Sequence, residues 1–126
     1  MPGETNTPDD STVLVVDDNR PLADGFARIL WEDFEVLTAY SAADAMELLD
    51  ASVDVVILDR RLPDTTGDAL LDRIRDADFD CRVAMVSAAD PSPGLDCDTY
   101  LTKPIGDSEV LHETVTELAD GHETSR

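Results

Sequence analysis

Val55-Val-Ile-Leu58 is the stretch of sequence that decides the fold, because a short, continuous apolar run rich in β-branched residues is typical of a strand buried on both faces. Two other runs have a similar length and character, Val13-Leu-Val-Val16 and Val83-Ala-Met-Val86. The more polar runs Glu35-Val-Leu-Thr38 and Thr99-Tyr-Leu-Thr102 suit the edges of a sheet. The sequence therefore predicts three central strands and two edge strands.

Segments with helical spacing separate these strands. Leu22, Phe26, Ile29 and Leu30 fall on one helix face after a cap at Asn19. Strand and helix alternate, which predicts an α/β fold with a doubly wound parallel sheet and helices on both faces. The remaining helices are one that opens at Ser41, one that carries Leu70, Leu71 and Ile74, and a last one that carries Leu111, Val115 and Leu118 before Gly121.

The length of 126 residues indicates a single domain. We expect residues 1–10 to form a flexible polar lead-in, residues 11–120 the domain itself, and residues 121–126 a polar tail. No apolar run approaches the roughly 20 residues that a membrane-spanning helix needs. The two cysteines, Cys81 and Cys97, lack the spacing of a zinc site. A cytoplasmic protein without membrane contact is the expectation.

The charge of the chain is strongly negative, with 29 acidic residues against 9 basic ones and a net charge of -20. Such a domain repels nucleic acid and anionic lipid, so we expect no direct DNA contact. Asp outnumbers Glu by 21 to 8, and the bases comprise eight Arg and one Lys. This balance resembles proteins of halophiles, where concentrated salt screens the self-repulsion. The alternative is an ordinary acidic protein.

Polar side chains follow four of the predicted strands where each strand ends. These are Asp17 and Asp18 after the first strand, Asp59 after the third, Ser87 after the fourth and Lys103 after the fifth. In open α/β sheets, ligands bind beyond the carboxyl ends of the strands, so these side chains should share one crevice. Lys103 is the only lysine in the chain, which makes its position there informative.

Three carboxylates at one place are the hard oxygen ligands that Mg²⁺ prefers. A carboxylate beside a cation and a hydroxyl can also attack phosphorus and form an aspartyl phosphate. We therefore expect a divalent cation site with Asp59 as the nucleophile. The alternative is that these acids are solvated strand ends, since Asp is abundant in this chain.

Four separated segments carry a family resemblance. They are Val13-Leu-Val-Val-Asp-Asp-Asn19, Val56-Ile-Leu-Asp-Arg-Arg-Leu-Pro-Asp-Thr-Thr-Gly67, Val86-Ser-Ala88 and Tyr100-Leu-Thr-Lys-Pro104. In this order they resemble the motifs of two-component response regulator receiver domains, over about residues 11–120. The resemblance implies a flavodoxin-like sheet of five strands in the order 2-1-3-4-5.

The resemblance also implies roles for single residues. Asp59 would accept a phosphoryl group from a histidine kinase or a phosphotransfer protein. Asp17, Asp18, Asp59 and the backbone carbonyl of Arg61 would hold Mg²⁺ or Mn²⁺. Lys103 would pair with the phosphoryl oxygens, Ser87 would bond to the phosphoryl group, Tyr100 would turn inward with it, and the Lys103–Pro104 bond would be cis.

A protein of this kind would not be an enzyme beyond its own autophosphorylation and autodephosphorylation. It would change conformation on phosphorylation and signal to a partner or output domain. Two alternatives remain at this point. A phosphatase similar to the haloacid dehalogenases would need an Asp-x-Asp pattern, but Arg60 and Arg61 follow Asp59. A receiver that no longer takes phosphate would act purely as a protein-binding module.

The segment from Ala88 to Thr99 is short for the loop, helix and loop that receivers usually place there. It also contains Pro91, Pro93 and Gly94, which weaken any helix beyond its first turn. We therefore expect the fourth helix to be short or missing.

Overall fold

A computed structural model describes residues 11–77, 79–88, 97–103 and 108–124, with the side chains of residues 108 and 120–124 excepted. Strands and helices alternate along most of this chain, as the sequence predicts. The elements are β1 (Thr12–Val16), α1 (Arg20–Leu30), β2 (Glu35–Ala39), α2 (Ala42–Leu48), β3 (Val55–Asp59), α3 (Gly67–Asp76), β4 (Arg82–Ser87), β5 (Thr99–Thr102) and α4 (Ser108–Thr124).

The five strands form one parallel sheet in the order β2-β1-β3-β4-β5, which confirms the predicted architecture. Every residue of β3 is buried, whereas no residue of β5 is. The continuous apolar run Val55-Val-Ile-Leu58 thus lies in the middle of the sheet, and the polar runs lie at its edges. Parallel strands covered by helices on both faces require this apolar continuity.

The core is divided by the sheet into two layers. Alternate residues of a strand point to opposite faces, so Leu14 and Val16 pack on one side while Val13 and Val15 pack on the other. Helices α2 and α3 cover the first side, and α1 and α4 cover the second. The prediction of helices on both faces is therefore confirmed.

Side-chain caps fix where the first three helices begin. Asn19 accepts a hydrogen bond from the backbone N–H of Leu22, and Ser41 accepts one from Asp44, as their sequence positions predict. Thr66 caps α3 in the same way. These caps set the turns that leave β1, β2 and β3, which lie next to the expected site.

The last helix is longer than predicted. The sequence places its end before Gly121, but α4 extends through Thr124. Glycine is tolerated within a helix at a cost of about 1 kcal/mol, so it does not by itself end one. Four residues assigned to the polar tail thus belong to α4.

Three predictions fall on parts of the chain outside the described residues. The short or missing fourth helix concerns residues 89–96, and the cis bond involves Pro104. The lead-in at residues 1–10 lies outside as well. Within the described residues, no helix is long and apolar enough to cross a membrane.

Candidate functional site

The carboxyl ends of four strands surround one cavity of about 560 Å³. Asp59 and Ser87 end β3 and β4, while Asp17 and Lys103 directly follow β1 and β5. The structure therefore brings together the strand-end residues singled out from the sequence. The lining consists of Asp17, Asp18, Asn19, Asp59, Arg61, Ser87, Ala88 and Lys103.

Three carboxylates cluster in the lining of this cavity. Asp17, Asp18 and Asp59 each offer an oxygen, and these oxygens lie within 4.8 Å of one another. Asp17 and Asp59 are buried and Asp18 is exposed. Asp17 is held in place because its N–H donates to the carbonyl of Ala39 and its Oδ1 accepts from the N–H of Asn19. The donor set of hard oxygens, two of them fixed and one open to water, fits a divalent cation.

Lys103 lies between two of the carboxylates. Its Nζ is 3.4 Å from Asp17 Oδ2 and 3.4 Å from Asp59 Oδ1. The backbone N–H of Lys103 donates to the carbonyl of Ser87 at 2.8 Å, which ties the lysine to the end of β4. One ammonium group therefore contacts two of the three carboxylates, and the cluster keeps an excess of negative charge.

Burial, together with this excess of negative charge, changes the pKa of Asp59. Burial and the neighbouring Asp17 carboxylate raise its pKa to about 6, although the N–H of Arg61 and the ammonium of Lys103 pull the other way. The ionised form of Asp59 is therefore costly in the protein alone. A divalent cation would remove this cost, which is a second reason why the residues fit one.

The loop after β3 brings the backbone of Arg61 to the cavity. The N–H of Arg61 donates to Asp59 Oδ1 at 3.3 Å. Arg61 also forms a bridge with Thr66, in which the flanking residues exchange the hydrogen bonds: Gly67 donates to Arg60, and Leu62 donates to Thr65. In such a pair the peptide groups of the middle residues point away from each other. The carbonyl of Arg61 is therefore turned away from Thr66.

Gly67 is a site-determining residue that the residue patterns alone miss. A Cβ on Gly67 would lie 2.4 Å from the carbonyl oxygen of Asp59 and 2.7 Å from the Cα of Arg60. Only glycine lets the first turn of α3 approach the backbone of Asp59 so closely. In the sequence it looks like an ordinary turn residue, and only its spacing from Asp59 in the family motif marks it.

Ser87 and Tyr100 occupy different places. Ser87 is buried at the end of β4 and lines the cavity. Tyr100 lies on the edge strand β5, outside this lining, and its hydroxyl accepts a hydrogen bond from Arg60 at 3.2 Å. The structure thus places Ser87 beside the carboxylates and connects Tyr100 to the residue that follows Asp59.

The fold and these residues define a doubly wound α/β domain with an acidic site at the strand ends, and known proteins share this arrangement. The sequence model of the response regulator receiver domain matches residues 13–116. The chain belongs to this family.

Several relatives support the assignment. A putative transcriptional regulator of Haloferax volcanii is 49% identical in an alignment of 113 residues that covers 86% of this chain and 19% of the relative. The transcriptional regulatory protein VxrB of Vibrio cholerae is 38% identical over 85% of this chain and 46% of its own length. The Haloferax relative favours the halophile origin that the composition predicts.

Solved structures show the same fold. A CheY-like receiver domain protein from Methanospirillum hungatei superposes with a TM-score of 0.84 at 25% identity, covering 93% of this chain and 99% of the other. The response regulator TrrA of Thermotoga maritima, in complex with Mg²⁺ and BeF, superposes with a TM-score of 0.76 at 26% identity, covering 86% and 98%. The chain spans between about a fifth and a half of the curated relatives it matches.

Proposed function

We propose that Asp59 accepts a phosphoryl group from a phosphohistidine donor on a histidine kinase or phosphotransfer protein. One observation carries this proposal: buried Asp59 lies at the end of the central strand with its Oδ1 3.4 Å from the only lysine, inside the cavity of the carboxylate cluster. A donor can reach Asp59 through the cavity that it lines. The ammonium group of Lys103 beside it can pair with the oxygens of the transferred phosphoryl group.

The transfer forms one bond and breaks one. A carboxylate oxygen of Asp59 bonds to phosphorus while the phosphorus–nitrogen bond of the donor imidazole breaks. The electron pair of the broken bond stays on the imidazole nitrogen, which takes a proton from water. Lys103 neutralises charge on the phosphoryl oxygens, and the hydroxyl of Ser87 donates a hydrogen bond to one of them.

Asp17, Asp18, Asp59 and the carbonyl of Arg61 are the groups that would hold Mg²⁺ or Mn²⁺. When bound, such a cation offsets the negative charge of the carboxylates and the phosphoryl oxygens. The observations that support this assignment are the oxygens within 4.8 Å of one another and the raised pKa of Asp59.

In this proposal the protein works in the cytoplasm as a phosphoacceptor, not as an enzyme that turns over a separate substrate. Beyond receiving the group, it catalyses only its own phosphorylation by small donors and its own dephosphorylation.

Tyr100 and Ser87 then carry a conformational change to a partner or an output domain. Relatives named as transcriptional regulators, of which this chain matches only part, support a role as the input domain of such a protein. With a net charge of -20, the domain itself would not bind DNA.

Intact mass spectrometry after incubation with acetyl phosphate and Mg²⁺ tests the proposal. We expect one phosphoryl mass on the wild type and on the control variant Asp50→Asn, whose carboxylate bonds Ser52 outside the cavity lining. Asp59→Asn and chelation of the cation should each abolish the adduct. Release of phosphate without an adduct would point to a phosphatase, and an unmodified wild type to a pure binding module; either result contradicts the proposal.

A further inference from the structure

Arg60, the residue directly after the proposed acceptor, has a side chain held at both ends of its guanidinium group. Its Nε donates to Asp68 Oδ1 at 2.8 Å and its Nη2 donates to Asp68 Oδ2 at 2.9 Å. A bidentate pair of this kind fixes the plane of the guanidinium as well as its position. The Arg60 side chain is 18% exposed and that of Asp68 is 39% exposed, so the guanidinium is better shielded from water than its carboxylate partner.

The same guanidinium contacts the edge strand. Its Nη1 donates to the hydroxyl oxygen of Tyr100 at 3.2 Å. Tyr100 and Arg60 are 40 residues apart in the chain and lie on β5 and at the end of β3, with β4 between them. The guanidinium therefore spans a whole strand to reach Tyr100.

The backbone of Arg60 is fixed as firmly as its side chain. Its N–H donates to the carbonyl of Val86, next to Ser87, at 2.9 Å, and its carbonyl accepts from Gly67 at 2.7 Å. A cavity of about 320 Å³ also lies beside this residue, lined by Arg60, Arg61, Thr66, Asp68 and Ser87. Arg60 thus lines the same cavity as Ser87, and its guanidinium also contacts Tyr100.

We propose that Arg60 is the positioning residue for Tyr100. Asp68 orients the Arg60 guanidinium, and this group holds the Tyr100 hydroxyl at a fixed position relative to the backbone that follows Asp59. A displacement at Asp59 or Ser87 would then reach the edge strand through Arg60 as well as through β4. The part of this inference that concerns signalling rests on the proposed function, whereas the positioning of Tyr100 does not.

Fluorine NMR of protein labelled with 3-fluorotyrosine tests the positioning directly. The chain has two tyrosines, Tyr40 and Tyr100, and a Tyr40→Phe variant assigns their resonances. Tyr40 serves as the internal control because it has its own partners, the guanidinium of Arg20 over its ring and the carboxylate of Asp24. The variants are Arg60→Met, Asp68→Asn and the matched control Arg73→Met, which removes an exposed arginine from the same helix as Asp68.

We expect Arg60→Met to move and broaden the Tyr100 resonance and to leave that of Tyr40 unchanged. Asp68→Asn should move the Tyr100 resonance less, in the same direction, and Arg73→Met should not move it. A purely structural role for Arg60 would lower the unfolding midpoint while leaving the Tyr100 resonance in place, and that result would overturn the inference. If Arg60→Met does not fold, Asp68→Asn alone decides: an unmoved Tyr100 resonance in it overturns the inference as well.

Adding Mg²⁺ and beryllofluoride as a phosphoryl mimic tests the signalling part. We expect the wild-type Tyr100 resonance to move and Arg60→Met to lose that displacement while Arg73→Met keeps it. An equal displacement in Arg60→Met would overturn the signalling part. A wild type that neither gains phosphoryl mass nor responds to the mimic would instead overturn the proposed function, and the effect of Arg60→Met in the untreated protein would still decide the positioning of Tyr100.

Discussion

The α-carbon of Gly67 faces the backbone of Asp59 so closely that a Cβ on it would lie 2.4 Å from the Asp59 carbonyl oxygen. Helix α3 therefore begins against the residue that we assign as the phosphoryl acceptor. The Gly67 N–H reinforces this approach by donating to the Arg60 carbonyl at 2.7 Å.

Substituting Gly67 with Ala should force α3 away from the end of β3. We expect Gly67→Ala to destabilise the protein by about 1 to 3 kcal/mol, the usual range for overpacking, and to slow labelling by acetyl phosphate. Gly25 in α1 is the matched control, because a Cβ there would meet nothing within 4 Å. Gly25→Ala should stabilise the protein by about 0.5 to 1 kcal/mol in the same denaturant titration. Equal effects of the two substitutions would contradict the role of the close approach.

The pKa of Asp59 makes stability depend on pH when no divalent cation is present. A carboxyl group whose folded-state pKa is raised to about 6 favours folding fully below its ordinary pKa, and this contribution is lost as pH rises through about 6. At pH 7, Asp59→Asn should therefore stabilise the metal-free protein by about 1 to 3 kcal/mol. Thermal unfolding in chelator at pH 4.5 and pH 7 measures the difference, which should shrink at the lower pH. A variant no more stable than wild type at pH 7 would show that the ionised Asp59 carries no such cost.

Lys103 partly neutralises Asp17 and Asp59, so it competes with any cation that binds there. Lys103→Met should tighten Mg²⁺ binding by roughly three- to tenfold through the loss of one nearby positive charge, and it should slow phosphoryl labelling. Isothermal titration calorimetry measures the Mg²⁺ affinity. Arg28→Met, which removes an exposed charge from α1, should change neither quantity. Weaker Mg²⁺ binding in Lys103→Met would mean that the lysine organises the carboxylates more than it repels the cation.

Asp64 caps α2 from a distant part of the chain. Its two carboxylate oxygens accept from the N–H groups of Ala42 and Ala43, each at 3.0 Å, and these bonds hold its pKa below the ordinary value. We expect Asp64→Ala to lower the thermal midpoint at neutral pH. Because the pKa is lowered, the stabilisation by Asp64 is present above its ordinary pKa and fades as pH falls through the folded-state value. If Asp64→Ala lowers the thermal midpoint by the same amount at pH 7 and in acid, the stabilisation does not come from the ionised Asp64 carboxylate.

The net charge of -20 predicts a dependence on salt. The screening length grows from about 3 Å in molar salt to about 10 Å at 0.1 M, so the acidic surface repels itself more strongly as salt is removed. The thermal midpoint should fall between molar and 0.1 M KCl. Chelator must be present throughout, because a cation that binds only the native state also stabilises it. A constant or rising midpoint would rule out halophilic adaptation of the fold.

Much of the architecture could be predicted from the sequence because its determinants are local. Apolar runs such as Val55-Val-Ile-Leu58 have to be buried on both faces, and helical spacing between them forces a parallel sheet with crossover helices. The positions of Asp17, Asp59 and Lys103 follow from the same rule, since the carboxyl ends of parallel strands lie at one edge. The exception is the end of α4, where Gly121 gave a misleading stop signal.

Only the tertiary structure decided how these parts contact one another. The cap that Asp64 provides for α2 joins residues 21 and 22 positions apart, and the bond from Arg60 to Tyr100 joins residues 40 apart. Such contacts depend on the distance and angle between packed elements, which no local pattern encodes. The same holds for the pKa of Asp59, because its burial and its nearness to Asp17 exist only once β1 and β3 are paired. Sequence alone therefore determined which groups meet at the strand ends, and packing decided the pKa of Asp59 and the connection of these groups to the rest of the fold.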